Sequence, residues 1–276
     1  MDKSSLEYAL IRGLEIPYMG VKVKQPTIND IDEIGLLRFS SYKSTFIILK
    51  EHLQLTDELI VITKDKSFFE TLFIIDGYSN NVDSNTILYT DMLIMSLIFF
   101  LGIDINKNMI EKNMENKCIS ITNKEDQNIF ILNNDNFEEF SELIRLVCNC
   151  DKLEIDKDTN TNVVQYADAD VQKIYEDLIK QHKKDEEEKK KANDITLSDV
   201  IGSICINENT KYNYKNIEEL TIWQLFYQFT AMFTKENIDI VKSQYVSGNY
   251  TFDKVPDLDW LKKVKVKLPK DNKLIK

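Results

Sequence analysis

The cysteines and histidines are the residues that could bind a metal, and Cys148 and Cys150 are the only closely spaced cysteine pair. Two thiolates can begin a zinc site, but zinc takes four ligands at compatible spacings. His52 and His182 are isolated in the sequence, so neither completes a set with the cysteine pair. We therefore interpret the cysteines as reduced core thiols, and we predict neither a metal site nor a cofactor.

A calcium loop is the second site that the residue types suggest. Asp156, Asp158 and Asn160 occupy the first, third and fifth positions of such a loop. The match then fails, because Thr161 stands where the sharp turn requires glycine and Ala167 stands where the bidentate glutamate belongs. We interpret this segment as a solvated linker rather than as a calcium site.

Catalytic motifs are the third possibility. The sequence lacks the glycine-rich phosphate loop, the dinucleotide-binding glycine pattern, the zinc-protease helix motif and the nucleophile elbow. Two histidines leave few options for histidine-based catalysis, and a carboxylate pair carries no weight on a chain with 46 acidic residues. We predict no catalytic residues, and therefore a protein that is not an enzyme.

The charge and the hydrophobic pattern limit the partners. A net charge of −11 repels nucleic acid and anionic membranes, so neither is an expected partner. The longest apolar run, Met92–Ile103, is much shorter than the about 20 residues that span a bilayer. The first twenty residues lack the basic start and apolar run of a signal peptide. We expect a cytoplasmic protein.

The scarcity of glycine and proline sets the fold class. The chain has only 7 glycines and 4 prolines, and both residue types weaken or break helices. We predict a mainly α protein in two helical lobes with a small N-terminal β element, joined by a charged helical linker. The predicted boundaries are an extended or β segment at 1–26, an N-terminal lobe at 27–150, a linker with a charged helix at 151–195, a C-terminal lobe at 196–260 and a basic tail at 261–276.

Local patterns predict the elements of the first lobe. The sequence GVKVKQP alternates as a half-buried strand does, and Pro26 ends it. Thr27 and Asp30 form a capping-box pattern, and Gly35 can divide the helical region that follows. Further helices are expected at about 57–62, 67–76 and 90–102, a hairpin from CISITN and NIFIL, and a helix capped by Asn136.

The most apolar helix of the C-terminal lobe begins at Thr221, which forms a capping box with Gln224. We expect one face to pack against a capped helix at Leu197–Ile204 and the region around Trp260. That face comprises Ile222, Leu225, Phe226, Phe229 and Phe233. Trp223 and Tyr227 lie on the flank and are the expected exposed members. The candidate partner-binding residues are Trp223, Tyr227, Phe226, Phe229, Met232 and Phe233.

Two charged segments have separate interpretations. Residues 181–191 carry acid-before-base pairs at helical spacing after the apolar pattern ends at Ile179, which predicts a solvated helix. The tail from Leu261 to Lys276 carries seven lysines and one aspartate. Such a tail can dock on the acidic body, bind an acidic partner or contact phosphate, and the lack of arginine and aromatic residues makes nucleic acid the weakest of the three. Its VKVKL sequence can also add a strand to a sheet edge, beside the similar VKVKQ near the N-terminus.

Two stretches together resemble a family of tailed-bacteriophage proteins. They are IPYMGVKVKQPTINDIDEIGLLRF and the late pattern of ITLSDVIGSICI, YNYKNIEELTIWQLFYQF, IDIVKSQYVSGN and LDWLKKV. This pattern is similar to tail assembly chaperones, which hold the long, apolar, helical tape-measure protein soluble while the tail tube assembles. The resemblance implies phage tail proteins, the tape-measure protein foremost, as partners, and it leaves the oligomeric state open. The alternatives are a structural or adaptor protein of the virion and a phage regulator that binds a host protein.

Overall fold

A computed structural model describes residues 2–53, 55–79, 88–125, 129–151, 195–208, 210–247 and 257–264. Within these residues the protein is mainly helical, as predicted, with two small antiparallel sheets. The predicted calcium-like segment, the charged helix and most of the linker fall in 152–194, outside the described residues. The tail from residue 265 onward, with its predicted strand, lies outside them as well.

Residues 3–12 are helical, which corrects the prediction of an extended segment at 1–26. Helix α1 spans Lys3–Arg12, and the Asp2 carboxylate caps it by accepting a hydrogen bond from Ser5 N at 2.9 Å. Gly13 ends the helix with a φ of 65°, a left-handed conformation that glycine adopts without strain. The face of α1 that is buried comprises Leu6, Ala9 and Leu10.

The GVKVKQP segment does contain a strand, and the strand belongs to a short hairpin. Strand β1 is Ile16–Tyr18 and strand β2 is Val21–Val23, paired antiparallel. Met19 and Gly20 form the two-residue turn, both with positive φ, which is the backbone that tight hairpins of this kind require. The end of β2 is attached to the rest of the fold through Lys24 N, which donates to Phe100 O at 2.7 Å.

Five helices follow the hairpin. Thr27 and Asp30 form the predicted capping box, and Gly35 separates the first two helices as expected. The next three helices match the predicted positions. The helices are α2 at Ile28–Ile34, α3 at Leu36–Ser44, α4 at Asp57–Thr63, α5 at Phe68–Ser79 and α6 at Tyr89–Leu101.

A three-stranded antiparallel sheet and one helix complete the N-terminal part. The predicted hairpin is present as β4, Cys118–Asn123, and β5, Ile129–Leu132. Strand β3, Asn108–Asn113, adds an edge that the sequence analysis missed. Helix α7 spans Phe137–Val147. Asn136 stands at its N-cap, as predicted, but the side chain makes no capping hydrogen bond. The side chain instead accepts from Asn133 N and donates to Ile131 O.

The described C-terminal part consists of three α-helices. Helix α8, Leu197–Ile206, starts with the predicted Thr196–Asp199 capping box. The 26-residue helix α9, Ile222–Ser247, follows, and the short helix α10, Trp260–Lys263, packs against it. Helices α8 and α9 pack against each other, and α9 also contacts α1 and α7.

Most of the buried apolar side chains form one cluster, which runs from Leu6 in α1 to Leu225 in the first turn of α9. An aromatic group lies inside it: the ring centroid of Phe46 is 5.8 Å from that of Phe100 and 5.7 Å from that of Phe140. The described residues therefore do not confirm two separate lobes. The start of α9 belongs to the same core as the N-terminal helices.

Candidate partner-binding surface

The start of α9 is joined to the N-terminal segment by two backbone hydrogen bonds. Ile28 N donates to Leu220 O at 3.0 Å, and Ile222 N donates to Pro26 O at 2.8 Å. These bonds bring Thr27 and Thr221, the caps of α2 and α9, into an antiparallel bridge. The two helix starts that the sequence predicted separately are thus built against each other.

Gln224 extends this junction to α1. Its side chain accepts from Thr221 N at 3.0 Å, which completes the predicted capping box, and donates to Ile11 O at 2.8 Å. Gly13 lies under the same junction, where an added Cβ would lie 3.1 Å from Thr221 Cγ2 and 3.2 Å from Gln224 Nε2. The absence of a side chain at residue 13 therefore lets α1 approach α9 closely.

The first turn of α9 is largely buried, and this corrects the expected position of one candidate residue. Trp223 is only 4% exposed, although the sequence analysis expected it on an exposed flank. Its ring stacks on that of Tyr227 with centroids 4.9 Å apart. Ile222 and Leu225 are buried beside it. Trp223 is therefore a core residue, and it belongs to the same buried cluster as the side chains of the N-terminal helices.

The other five candidates lie at the boundary between core and surface. Four of them, Phe226, Tyr227, Phe229 and Met232, are partly buried. Phe233 is the most accessible at 43% exposed, and its ring lies 4.6 Å from that of Phe229. The exposed apolar surface thus begins about two turns after the start of the helix, at Met232 and Phe233.

Met232 and Phe233 line a groove between α8 and α9. A cleft of about 520 Å³ lies beside α8, where Asp199, Gly202 and Ile206 face Phe233. A second cleft of about 350 Å³ continues along α9 to Trp260 of α10. Both clefts share the three residues Asn207, Met232 and Glu236. They therefore adjoin, and we call them together the α8–α9 groove.

The charged residues lining the groove are mainly acidic. Asp199, Glu236 and Asp239 line it, against the single base Lys235. Glu236 Oε1 accepts from Asn207 Nδ2 at 2.8 Å, which holds one carboxylate at the joint of the two clefts. Hydrogen bonds from Thr196 lower the pKa of Asp199 below its ordinary value, so that carboxylate is charged at neutral pH. We call the apolar lining residues Ile206, Met232 and Phe233 the floor of the groove, and the charged residues that line it beside them are mainly acidic.

Several groove residues were missed by the sequence analysis. Ile206, at the end of α8, is 74% exposed, and Gly202 leaves open space where a Cβ would be. Trp260 was expected only as part of the core, yet it lines the second cleft. The sequence does hold one indication, because Gly202 interrupts the otherwise apolar pattern of α8.

Helix α4 carries a second exposed apolar patch. Ile60, Val61 and Ile62 are 52%, 75% and 38% exposed. Neither cleft of the α8–α9 groove includes it. Scattered apolar side chains of this kind are normal on a protein surface. We therefore treat α4 as the comparison surface for the groove.

The cysteines do not form a reactive or metal-binding site in the described part of the chain. Burial raises the pKa of Cys148 well above its usual range. Burial also raises the pKa of Cys150 to about 11, despite the charges of Lys43 and Arg145, which lower it. Neither thiol is a thiolate at neutral pH, which agrees with core thiols. Among the described residues no group of three or more potential ligands is placed to hold a metal ion.

The described helices include no candidate membrane span. None of them combines the length and the apolar character that crossing a bilayer requires. The apolar run of α6 is instead buried against α3 and α5.

One protein family matches the chain. The family described as the YomV second domain, which is phage-derived, matches residues 187–265. The match covers less than a third of the chain but includes α8, α9 and α10, the three helices that form the groove. This part of the chain is therefore similar to a phage protein. No curated protein and no solved structure matches the chain.

Proposed function

We propose that this protein is a non-enzymatic phage morphogenesis factor, a tail assembly chaperone that keeps the tape-measure protein soluble in the host cytoplasm. The observation that carries the proposal is the α8–α9 groove. It is an open apolar surface with Met232 and Phe233 on its floor, and it lies in the segment that is similar to a phage-derived family.

The shape of the groove suits a helical client. Two packed helices leave a furrow between them, and an amphipathic helix can lay its apolar face into such a furrow. The exposed apolar residues along it, Ile206 and Phe233, offer contacts to successive turns of a bound helix. The acids that line it favour a client with basic residues beside the apolar ones.

Gly202 provides a variant that blocks the groove without weakening the fold. An added Cβ at Gly202 meets open space, and leucine is a better helix former than glycine. Gly202→Leu should therefore fill the first cleft while the protein stays folded. Gly77 on α5 is the matched control, because it is also helical and also has no neighbour within 4 Å of an added Cβ.

The test is co-expression with the tape-measure protein of the same phage. We expect the chain to raise the soluble fraction of the tape-measure protein and to co-purify with it. Gly202→Leu should reduce both effects, and Gly77→Leu should not. If the parent chain neither solubilises nor binds the tape-measure protein, the proposed function is wrong. If both glycine variants act like the parent, the client binds elsewhere.

A structural protein of the virion is the function that must be separated from a chaperone. A chaperone is released when assembly is complete, so it should be sparse in purified particles. Mass spectrometry of those particles measures the amount directly. A stoichiometric amount would identify a virion component instead.

A further inference from the structure

We infer that residues 265–276 of this chain dock along the α8–α9 groove and occupy it when no client is bound. Three observations support this docking: the charge of the groove, the composition of the segment and the position of the last described residues, which end at Val264. The docking itself does not depend on the identity of the client. Only its consequence, competition with the client, rests on the proposed function.

The charges of the two surfaces are complementary. Residues 265–276 carry five lysines and one aspartate. The groove presents the carboxylates of Asp199, Glu236 and Asp239 against the ammonium group of Lys235. Opposite potentials of this kind orient a segment on its surface and exclude acidic competitors. Most of the remaining chain is acidic and does not offer an alternative cationic segment of this density.

The apolar residues of the segment match the floor of the groove. Val266 and Leu268 alternate with lysines, so an extended chain presents them on one side. Leu274 and Ile275 follow six residues later. The groove offers Met232, Phe233 and Ile206 as apolar partners, with acids beside them. Apolar residues can therefore face the floor while the long lysine side chains reach the carboxylates.

The last described residues before the segment lie beside the groove. Trp260 lines the second cleft, and Val264, one turn later, is buried. Residue 265 therefore follows directly on an anchored position. Twelve residues reach at most about 40 Å when extended, whereas Asp239 and Met232 are only about 10 Å apart along α9. A segment tethered this closely acts at a local concentration on the order of millimolar.

The consequence for the proposed function is a built-in competitor. A lysine-rich, apolar segment of this chain imitates the kind of client that the groove favours, so it covers the apolar floor before the client arrives. A client with a longer apolar face displaces it by making more contacts. The exposed floor of the groove is thereby protected from self-association between folding and client binding.

The experiment uses the full chain and a carbodiimide, which joins a lysine amine directly to a carboxylate that it contacts. Equal amounts of unlabelled and ¹⁵N-labelled chains are mixed, crosslinked and digested, and the linked peptides are identified by mass spectrometry. We expect Lys265, Lys267 and Lys270 to be linked to Asp199, Glu236 or Asp239 within one chain. Acids on the comparison surface, Asp57 and Glu58 of α4, should be linked at least ten times less.

The glycine pair supplies the control for the groove. Gly202→Leu keeps all three carboxylates but narrows the first cleft, so the links to Asp199 should fall several-fold, and Gly77→Leu should leave them unchanged. Links that join a labelled to an unlabelled chain would show that a second copy fills the groove, and they would overturn the inference. Links spread equally over α4 and the groove, or none to the groove, would also overturn it. The absence of docking leaves client binding untouched, so the two proposals fail independently.

Discussion

The stability of Trp223→Ala tests whether the start of α9 is part of the common core. The structure buries Trp223, whereas the sequence pattern placed it at the surface. Trp223 is 4% exposed and stacks on Tyr227. A buried tryptophan removes roughly 200 Å² from water, which corresponds to roughly 5 kcal/mol at 25 cal/mol per Å². Truncation to alanine keeps part of that burial and leaves a cavity, so we expect a loss of about 3–5 kcal/mol in the free energy of unfolding.

The assay is urea unfolding followed by far-ultraviolet circular dichroism, together with thermal unfolding. A loss of about 3–5 kcal/mol corresponds to a fall in Tm of about 6–20 °C for a chain of this size. Phe233→Ala is the control, since Phe233 lies on the same helix but is 43% exposed. It should cost about 1 kcal/mol or less. If Trp223→Ala is no more destabilising than Phe233→Ala, the start of α9 is not buried against the N-terminal segment.

Three further predictions test separate parts of the structure. Gly13→Ala should lower the free energy of unfolding by at least 1–2 kcal/mol, roughly the cost of a left-handed alanine. The loss should exceed that of Gly20→Ala, because a Cβ added at Gly20 meets no neighbour. Equal losses in urea unfolding would contradict the close approach of α1 and α9 at residue 13. Because their pKa values are raised, Cys148 and Cys150 should react with a thiol reagent at pH 8 at least ten times more slowly than free cysteine. In urea, where the protein is unfolded, both should react rapidly. Fast labelling of these two cysteines in the folded protein, located by mass spectrometry, would be inconsistent with their burial. Burial raises the pKa of Asp30, but hydrogen bonds from a lysine and a threonine outweigh it and lower the pKa overall. The resulting stabilisation is therefore present above the ordinary carboxyl pKa and is lost as the pH falls below it. Asp30→Asn should lower the free energy of unfolding at pH 7, and the difference in that free energy between the variant and the parent should shrink below about pH 4.

Local sequence patterns were sufficient for the helix starts. The capping boxes at Thr27, Thr196 and Thr221 depend on side chains three residues apart, so the sequence contains all that forms them. The same holds for the division at Gly35, where a positive φ separates two helices. These predictions needed no information about the rest of the fold.

Features that depend on distant contacts were not predictable from one segment. Trp223 was placed on a flank because the pattern of α9 gives no sign that backbone hydrogen bonds from residues 26–28 to Leu220 and Ile222 join the start of this helix to the common core. Helix α1 was missed because its apolar face is short, although Asp2 and Gly13 are a typical start and end. Strand β3 was missed because its sequence, NMIEKN, is that of a polar edge strand.

Only part of the candidate surface was predicted, because the groove also depends on contacts between distant segments. The sequence located Met232 and Phe233 on α9, which are two of the residues on the floor of the groove. It could not show that α8 stops beside them or that α10 returns to place Trp260 at the far end. A groove between helices belongs to their packing, and no single helix contains the information.

Site-specific photo-crosslinking tests most directly whether the α8–α9 groove binds an apolar helical client. A photoreactive phenylalanine analogue is placed at Phe233 in one variant and at Val61, on the comparison surface of α4, in another. Each variant is co-expressed with the tape-measure protein and illuminated. We predict a covalent link to the tape-measure protein from position 233 and none from position 61. A link from position 61 alone, or no link from position 233 in a complex that still forms, would contradict it.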